Sequence, residues 1–231
     1  MIVYKYGGTA IMEVEEFIKT ITEGLKLHKK IVLIVSAMGR NPSPYSTDAL
    51  FKMCEGLCEE EVARIVSCGE VISSVNASMI LNKKGIKAKS ISIYDINLCY
   101  DNGFSVNSKI DKYVLEYDVV IIPGFIGLKD NEVRLLPRGG SNITASFFAN
   151  YFKCKLVIFT DVDGIYYYDP KIYNEAEKID VLTYEMLYEI TKNNPSFFPS
   201  RGIEYLMENE IEVLVRNHYN PIGTIIRKNK V

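Results

Sequence analysis

Three short glycine-containing segments are the part of this sequence best suited to chemistry. They are KYGGTA (residues 5–10), SAMG (36–39) and PRGGSN (137–142), and each lies where a predicted strand ends or a predicted helix begins. Glycine leaves backbone N–H groups unhindered, so such segments can bind anions such as phosphate. A single Gly-Gly pair is more often only a tight turn. Three such segments in one chain indicate an anion-binding site.

Lys5 stands just before Gly7 and Gly8. An ammonium group beside a cluster of backbone amides can offset the charge of a transferring phosphoryl group. A solvent-exposed lysine at the end of a strand is the alternative interpretation. The sequence contains neither GxxxxGK[ST] nor GxGxxG, so P-loop and dinucleotide-binding sites lack their motifs. A phosphate site of another kind is therefore predicted.

The elements that must position these segments alternate between apolar strands and helical patterns. Strands are predicted over 2–6, 31–36, 87–93, 118–122, 156–160 and 212–215, and helices over 14–27, 47–82, 141–152, 184–192 and 200–209. Uninterrupted Val and Ile runs between helices indicate a mainly parallel sheet covered on both faces, which is an α/β fold. With no repeat and no linker, one domain is predicted.

Composition excludes several classes of partner. The chain has 231 residues and a formal net charge of −2, so no overall basic field attracts nucleic acid or an anionic membrane. We expect no apolar run near the roughly 20 residues needed to span a bilayer. The N-terminus begins as a strand and not as a signal peptide, and five cysteines without paired spacing favour free thiols. A cytoplasmic protein that binds neither nucleic acid nor membrane is expected.

Six motifs in order resemble those of one family. KYGGTA resembles KFGGTS, IVLIVSAMG followed by STDAL resembles VVVSAMG…TD, and SCGEVIS is similar to a GExxS helix. PGFIG, RGGSNITA and TDVDGIYYYDPK then resemble PGF.G, RGGSD.TA and TDVDG.Y..DPR, and the match ends in VRN and GTII near the C-terminus. The chain thus resembles the catalytic domain of aspartokinases, in the amino-acid kinase family, without their C-terminal ACT regulatory domains.

The resemblance implies a three-layer αβα sandwich with a mainly parallel central sheet, the amino-acid kinase or carbamate kinase-like fold. It implies one domain over 1–231, with an acceptor-binding part over about 1–140 and a nucleotide-binding part over about 141–231. The implied reaction is ATP-dependent phosphorylation of L-aspartate to 4-phospho-L-aspartate, toward lysine, threonine and methionine. ATP and Mg²⁺ are the implied cofactors, and a homodimer is the default. No carboxylate cage for a metal is evident, so phosphates and water would hold Mg²⁺.

The resemblance also implies roles for individual residues. Catalysis is assigned to Lys5, Gly8 and Asn142. The acceptor is assigned to Thr47, Glu70, Arg138 and Ser141. The phosphates and nucleotide are assigned to Gly7, Gly39, Thr160, Asp161, Tyr166 and Lys171.

These acceptor roles suit the chemistry of the side chains. Arg138 offers a planar fork for a carboxylate, and Glu70 offers an anion for an α-ammonium group. Structural alternatives exist: Glu70 as a solvated helix residue, Arg138 as a surface ion-pair member and Thr47 as a helix N-cap.

Four positions depart from the family pattern. Asn142 stands where RGGSD has Asp, Ala10 where KFGGTS has Ser, and Lys171 where DPR has Arg, while Ser196 stands where the family has a lysine. Three hypotheses therefore stay open. The chain is an aspartokinase catalytic domain, a related kinase with another small carboxylate or amino-acid acceptor, or a nucleotide-binding pseudokinase or regulatory subunit.

Overall fold

The computed structural model describes residues 1–101, 103–168, 172, 175–192 and 198–228. Lys171 and Ser196, two of the positions singled out in the sequence, lie outside the described residues. The helices in the described part are α1 (Val14–His28), α2 (Thr47–Lys52), α3 (Glu59–Lys83), α4 (Lys109–Glu116), α5 (Gly140–Tyr151), α6 (Tyr184–Thr191) and α7 (Ser200–Glu208).

The strands are short and numerous. They are β1 (Ile2–Tyr6), β2 (Ile31–Val35), β3 (Ala88–Ser90), β4 (Cys99–Tyr100), β5 (Phe104–Ser105), β6 (Val119–Pro123), β7 (Ile126–Lys129), β8 (Glu132–Leu135), β9 (Leu156–Phe159), β10 (Ile165–Tyr166), β11 (Lys178–Ile179), β12 (Val181–Leu182), β13 (Val213–Arg216) and β14 (Thr224–Ile226).

An eight-stranded sheet forms the centre of the fold, in the order β12-β14-β13-β9-β1-β2-β6-β3. Its neighbouring strands are parallel except for the β13–β14 pair. Tyr6 at the end of β1 is in register with Val35 of β2 and with Phe159 of β9. The carboxyl ends of these strands therefore lie at one edge of the sheet, where ligands bind in open α/β folds.

Side chains alternate between the two faces of this sheet, and helices cover both faces. Val32 faces the cluster that contains Phe148 of α5. Leu33, the next residue, faces the cluster that contains Phe17 of α1 and Leu81 of α3. Because successive strand residues point to opposite faces, β2 is buried on both sides. The predicted three-layer αβα sandwich is confirmed.

A second sheet, in the order β5-β4-β7-β8, was not predicted from the sequence. Its strands have two to four residues, which is too short for a clear alternating pattern. Phe125, in a left-handed conformation with φ of 65°, turns the chain from β6 of the main sheet into β7. The PGFIG motif is thus the junction between the two sheets.

The predicted helical stretch over 47–82 is instead two helices, α2 and α3. Gly56 between them has φ of 78°, a left-handed conformation that glycine adopts at little cost. The N-cap of α2 is Ser46, whose hydroxyl accepts a hydrogen bond from the Ala49 amide, so the interpretation of Thr47 as an N-cap was wrong. Thr47 is the first helical residue.

Helix α3 is 25 residues long, and it is the one helix in the described ranges whose length and composition would allow it to cross a membrane. The sequence had led us to expect no such run. A core helix of a soluble protein passes the same test, so α3 alone is weak evidence for a membrane span. The inner face of α3 is packed in the core, with Ala77 and Leu81 fully buried.

Candidate active site

A cavity of about 280 Å³ lies at the carboxyl edge of the main sheet. Its walls are the glycine loop after β1, the segment after β2, the first turn of α5 and the residues that follow β9. Eleven of the residues assigned from the sequence line it, namely Lys5, Gly7, Gly8, Gly39, Thr47, Glu70, Arg138, Ser141, Asn142, Thr160 and Asp161. Positions up to 156 residues apart in sequence are thereby brought together at one site.

The loops after β1 and β2 are in direct backbone contact at Gly8 and Gly39. The Gly39 amide donates a hydrogen bond to the Gly8 carbonyl at 2.9 Å. A Cβ atom on Gly8 would lie 2.2 Å from the Ala37 carbonyl oxygen, a contact that backbone atoms cannot relieve cheaply. Gly39 has φ of 80°. Both positions therefore require glycine for the loops to approach each other beneath the cavity.

The N-terminus of α5 faces the same cavity. Gly139 precedes the helix with φ of 80°, and the Asn142 amide donates a hydrogen bond to the Gly139 carbonyl at 2.8 Å. The Ser36 hydroxyl donates to the Ser141 hydroxyl at 3.1 Å, which joins this turn to the segment after β2. Because a helix N-terminus carries a partial positive charge, this arrangement suits an anion in the cavity.

Lys5 and Glu70 are two ionisable side chains that line the cavity. Burial lowers the pKa of Lys5 from 10.5 to about 8, and the charge of Glu70 opposes that fall. Glu70 on α3 is 1% exposed, and burial raises its pKa well above the ordinary value, although Lys5 and a hydrogen bond with the Ala37 backbone oppose the rise. Its Oε2 atom has no hydrogen-bond partner among the described residues. A ligand ammonium group would satisfy that oxygen.

Two ion pairs lie at the mouth of the cavity. Nη2 of Arg138 lies 3.6 Å from Oδ1 of Asp48, and the Arg138 side chain is 76% exposed. Arg40 donates from Nη2 to Oδ2 of Asp161 at 3.3 Å. Arg40 also lines the cavity. It was not among the residues predicted from the sequence, although it directly follows Gly39, and that position could have suggested it.

Tyr166 lies away from this cavity, although the resemblance placed it at the nucleotide. Its hydroxyl donates to Asp163 at 2.6 Å, and Lys178 and Asn220 also donate to Asp163, both at 3.2 Å. The hydrogen bond to Asp163 raises the pKa of Tyr166 to about 12. Asp163 therefore joins the turn after β9 to Lys178 of β11 and to Asn220 after β13, and Tyr166 supports Asp163.

His218, to which no role was assigned from the sequence, is buried behind the glycine loop. Nε2 is 3.0 Å from the Ala10 carbonyl, so this nitrogen must donate, and Nδ1 lies 3.2 Å from the Thr20 hydroxyl. The ring stacks on Phe159 with centroids 5.4 Å apart. Burial lowers the pKa of His218. The neutral ring thus ties the end of the glycine loop to α1.

Comparison with known proteins agrees with this geometry. The sequence profile described as "Amino acid kinase family" matches residues 1–217. The chain belongs to the amino acid kinase family. It is 32% identical to the aspartokinase of Helicobacter pylori (strain 26695) over 98% of its length, and 29% identical to aspartokinase 1 of Bacillus subtilis (strain 168) over 98%. It spans 59% and 60% of those two proteins.

Solved structures of this family superpose on the whole chain. The aspartate kinase of Synechocystis matches with a TM-score of 0.83 at 26% identity, covering 100% of this chain and 40% of that one. Escherichia coli aspartokinase III in complex with aspartate and ADP matches with a TM-score of 0.82 at 18% identity, covering 100% and 65%. The isopentenyl phosphate kinase structure matches with a TM-score of 0.69 at 18% identity, covering 98% and 99%. The amino-acid kinase fold is therefore shown.

Proposed function

We propose that this chain is an ATP-dependent aspartate kinase, which transfers the γ-phosphoryl group of ATP to the side-chain carboxylate of L-aspartate. The product is 4-phospho-L-aspartate, the first intermediate toward lysine, threonine and methionine. The observation that carries the proposal is the single cavity in which Lys5, the two glycine loops and the N-terminus of α5 meet Glu70 and Arg138. The relatives named aspartokinase support the choice of acceptor.

Four residues are proposed to bind the acceptor. Glu70 offers its unpartnered Oε2 to the α-ammonium group, and Arg138 offers a guanidinium fork to a carboxylate. Among the described residues Arg138 is held by one exposed ion pair, with Asp48, and such pairs contribute about 0–1 kcal/mol. Rotation of Arg138 toward a ligand is therefore cheap. Thr47 and Ser141, which also line the cavity, supply hydroxyl groups.

The transfer itself needs no general base in this proposal, because the side-chain carboxylate of aspartate is already ionised at neutral pH. One carboxylate oxygen bonds to the γ-phosphorus atom while the bond from that atom to the β,γ-bridging oxygen breaks. ADP leaves with the electron pair of that bond. Lys5 neutralises charge on the phosphoryl oxygens, and the amides near Gly7, Gly8 and Gly39 position them.

The nucleotide is proposed to lie toward the half that begins at about residue 141, and the acceptor toward the half that ends at about residue 140. Thr160 and Asp161 follow β9, within the proposed nucleotide half, and line the cavity. Tyr166, through its contact with Asp163, is proposed to support this turn. Lys171 stays a sequence-based proposal, since it lies outside the described residues.

The cavity fits Mg²⁺ bound together with the nucleotide. Within the described ranges no three His, Cys, Asp or Glu side chains converge to hold a metal. Proteins usually hold Mg²⁺ by one or two carboxylates together with substrate phosphates and water, and Asp161 is a carboxylate in the cavity wall. When bound, the ion would neutralise phosphate charge. Asp161 is the residue proposed to face it.

We also propose a homodimer in the cytoplasm, formed through the outer face of α3. Val71, Val75 and Met79 follow one another at intervals of four on that face and are about half exposed. The helix begins with the acidic residues 59–61 and ends at Lys83, followed by Lys84. Two copies of α3 packed antiparallel about a two-fold axis would bring apolar residues together and place each acidic end near a basic end.

Mass measurement by light scattering tests the dimer. A mass of about 52 kDa, twice the 26.2 kDa of one chain, is expected for the wild type. Val75→Glu should reduce it to the monomer, whereas Leu115→Glu, at a more exposed apolar residue on α4, should not. A wild-type monomer, or a Val75→Glu dimer, contradicts the α3 interface.

A coupled assay of ADP release tests the proposed reaction. Purified protein is mixed with ATP, Mg²⁺ and a panel of amino acids, and turnover is expected with aspartate. Lys5→Ala should abolish it, and Lys19→Ala, at an exposed lysine paired with Glu16, should not. Turnover with another acceptor alone would replace aspartate in the proposal. Nucleotide binding without turnover on any acceptor would indicate a pseudokinase.

A further inference from the structure

The Arg40–Asp161 ion pair crosses over the proposed phosphate site. Arg40 follows the segment after β2, and Asp161 lies two residues beyond the end of β9. In the sheet, β1 lies between β9 and β2. The pair therefore bridges the carboxyl end of β1, where Gly7 and Gly8 begin the glycine loop. Arg40 and Asp161 line the same cavity as Gly7 and Gly8, so a phosphate bound at this loop would lie near the two side chains.

We propose that Arg40 exchanges Asp161 for the γ-phosphoryl group of ATP and acts as a catalytic residue in the transfer; this inference rests on the proposed kinase function. The guanidinium group has five N–H donors in a rigid fork that matches phosphate oxygens. In the described part of the chain Arg40 has one ion pair, with Asp161 at 3.3 Å, and its side chain is 67% exposed. Exposed ion pairs of this kind are weak, so a doubly charged phosphate competes successfully for Arg40.

The charge balance of the site favours the same role. Arg40 adds a cation to the cavity, which Lys5 and Arg138 also line. Its backbone follows Gly39, whose amide already anchors the loop on Gly8. Arg40 is thus carried by a fixed loop while its long side chain is able to turn.

Arg40 takes no proton and gives none in this step. The bond from an acceptor carboxylate oxygen to the γ-phosphorus atom forms as the β,γ-bridging bond breaks, and ADP leaves with the electron pair. Arg40 would stabilise the negative charge on the non-bridging oxygens as they separate from ADP. Because ADP has no γ-phosphoryl group, loss of Arg40 should weaken ATP binding and lower turnover, but should change ADP binding little.

Three variants and one control test this inference. Binding of ADP and of the non-hydrolysable ATP analogue AMP-PNP, each with Mg²⁺, is measured by titration calorimetry, and turnover by ADP release with aspartate. Arg40→Ala should weaken AMP-PNP binding about tenfold or more and lower kcat at least as much, with ADP affinity within about twofold of the wild type. Arg40→Lys should recover part of both losses. Asp161→Asn, which removes the competing partner, should bind AMP-PNP without Mg²⁺ at least as tightly as the wild type.

Arg64→Ala is the matched control, because Arg64 is 68% exposed and holds one ion pair with Glu61 on α3. It should leave both affinities and kcat unchanged. If Arg40→Ala keeps wild-type kcat and AMP-PNP affinity, or weakens ADP and AMP-PNP equally, the inference is overturned. A wild-type chain that binds no nucleotide overturns the proposed function as well, whereas an active wild type with an equally active Arg40→Ala variant overturns only the role of Arg40.

Discussion

Lys5 gives nucleotide binding a pH dependence that can be measured without the reaction. Burial lowers its pKa to about 8, and only the ammonium form attracts phosphate. Between about pH 7.5 and pH 9.5 the charged fraction of such a lysine falls from about three quarters to about one thirtieth, so affinity should fall about 20-fold. Bound phosphate raises the pKa of Lys5 again, so binding at about pH 8 should take up about half a proton.

Calorimetry with AMP-PNP and Mg²⁺ in buffers of different ionisation enthalpy measures both the affinity and the proton uptake on binding. Lys5→Arg is the control, because arginine stays charged throughout this pH range, and its affinity should change little with pH. Any ionisation of the nucleotide phosphates affects the wild type and Lys5→Arg alike, so the difference between the two reports the titration of Lys5. An affinity that is constant to about pH 9.5, with no proton uptake at pH 8, would refute the assignment of Lys5 to the phosphate site.

Four further substitutions test the glycine loop, the first turn of α5 and the buried carboxyl group of Glu70. Gly8→Ala places a Cβ 2.2 Å from the Ala37 carbonyl and should lower the free energy of unfolding by about 1–3 kcal/mol, whereas Gly7→Ala, whose Cβ meets its nearest atom at 3.5 Å, should be nearly neutral; thermal unfolding compares them. Asn142→Asp restores the family's carboxylate and should raise kcat with aspartate about tenfold or more, and a lower kcat in ADP release would contradict this. Glu70→Gln should raise the KM for aspartate about tenfold or more and stabilise the fold at pH 7. The folded pKa of Glu70 is raised, so the wild type loses stability as pH rises above about 4.5, and urea unfolding at pH 4.5 and 7 should show the difference growing with pH.

Much of the fold follows from local sequence patterns. The strand IVLIV is apolar throughout and is buried on both faces, as parallel strands between two helical layers must be. The helix predicted over 14–27 is α1, Val14–His28. The break between α2 and α3 was missed, because an apolar pattern continues across it and the left-handed Gly56 is only one residue. The second sheet was missed because its strands are too short to show a period.

The candidate site could be predicted only where a residue lies within a motif. Lys5, Glu70 and Asn142 lie in such motifs, and the structure brings them to one cavity. The ion pair of Arg40 joins it to Asp161, which is 121 residues away in the sequence. No local sequence pattern predicts such a pair. His218 is also found only through its contacts with Ala10 and Thr20. The raised pKa of Glu70 follows from burial, which the sequence suggested only through its small neighbours.

The most direct test of the account is ADP release by the purified chain with ATP, Mg²⁺ and L-aspartate, compared with the Lys5→Met variant. The account predicts aspartate-dependent turnover in the wild type, an acyl phosphate product trapped by hydroxylamine as a hydroxamate, and loss of both in Lys5→Met. Wild-type protein that binds AMP-PNP but forms no hydroxamate from aspartate, or a Lys5→Met variant that forms it at the wild-type rate, would contradict the account.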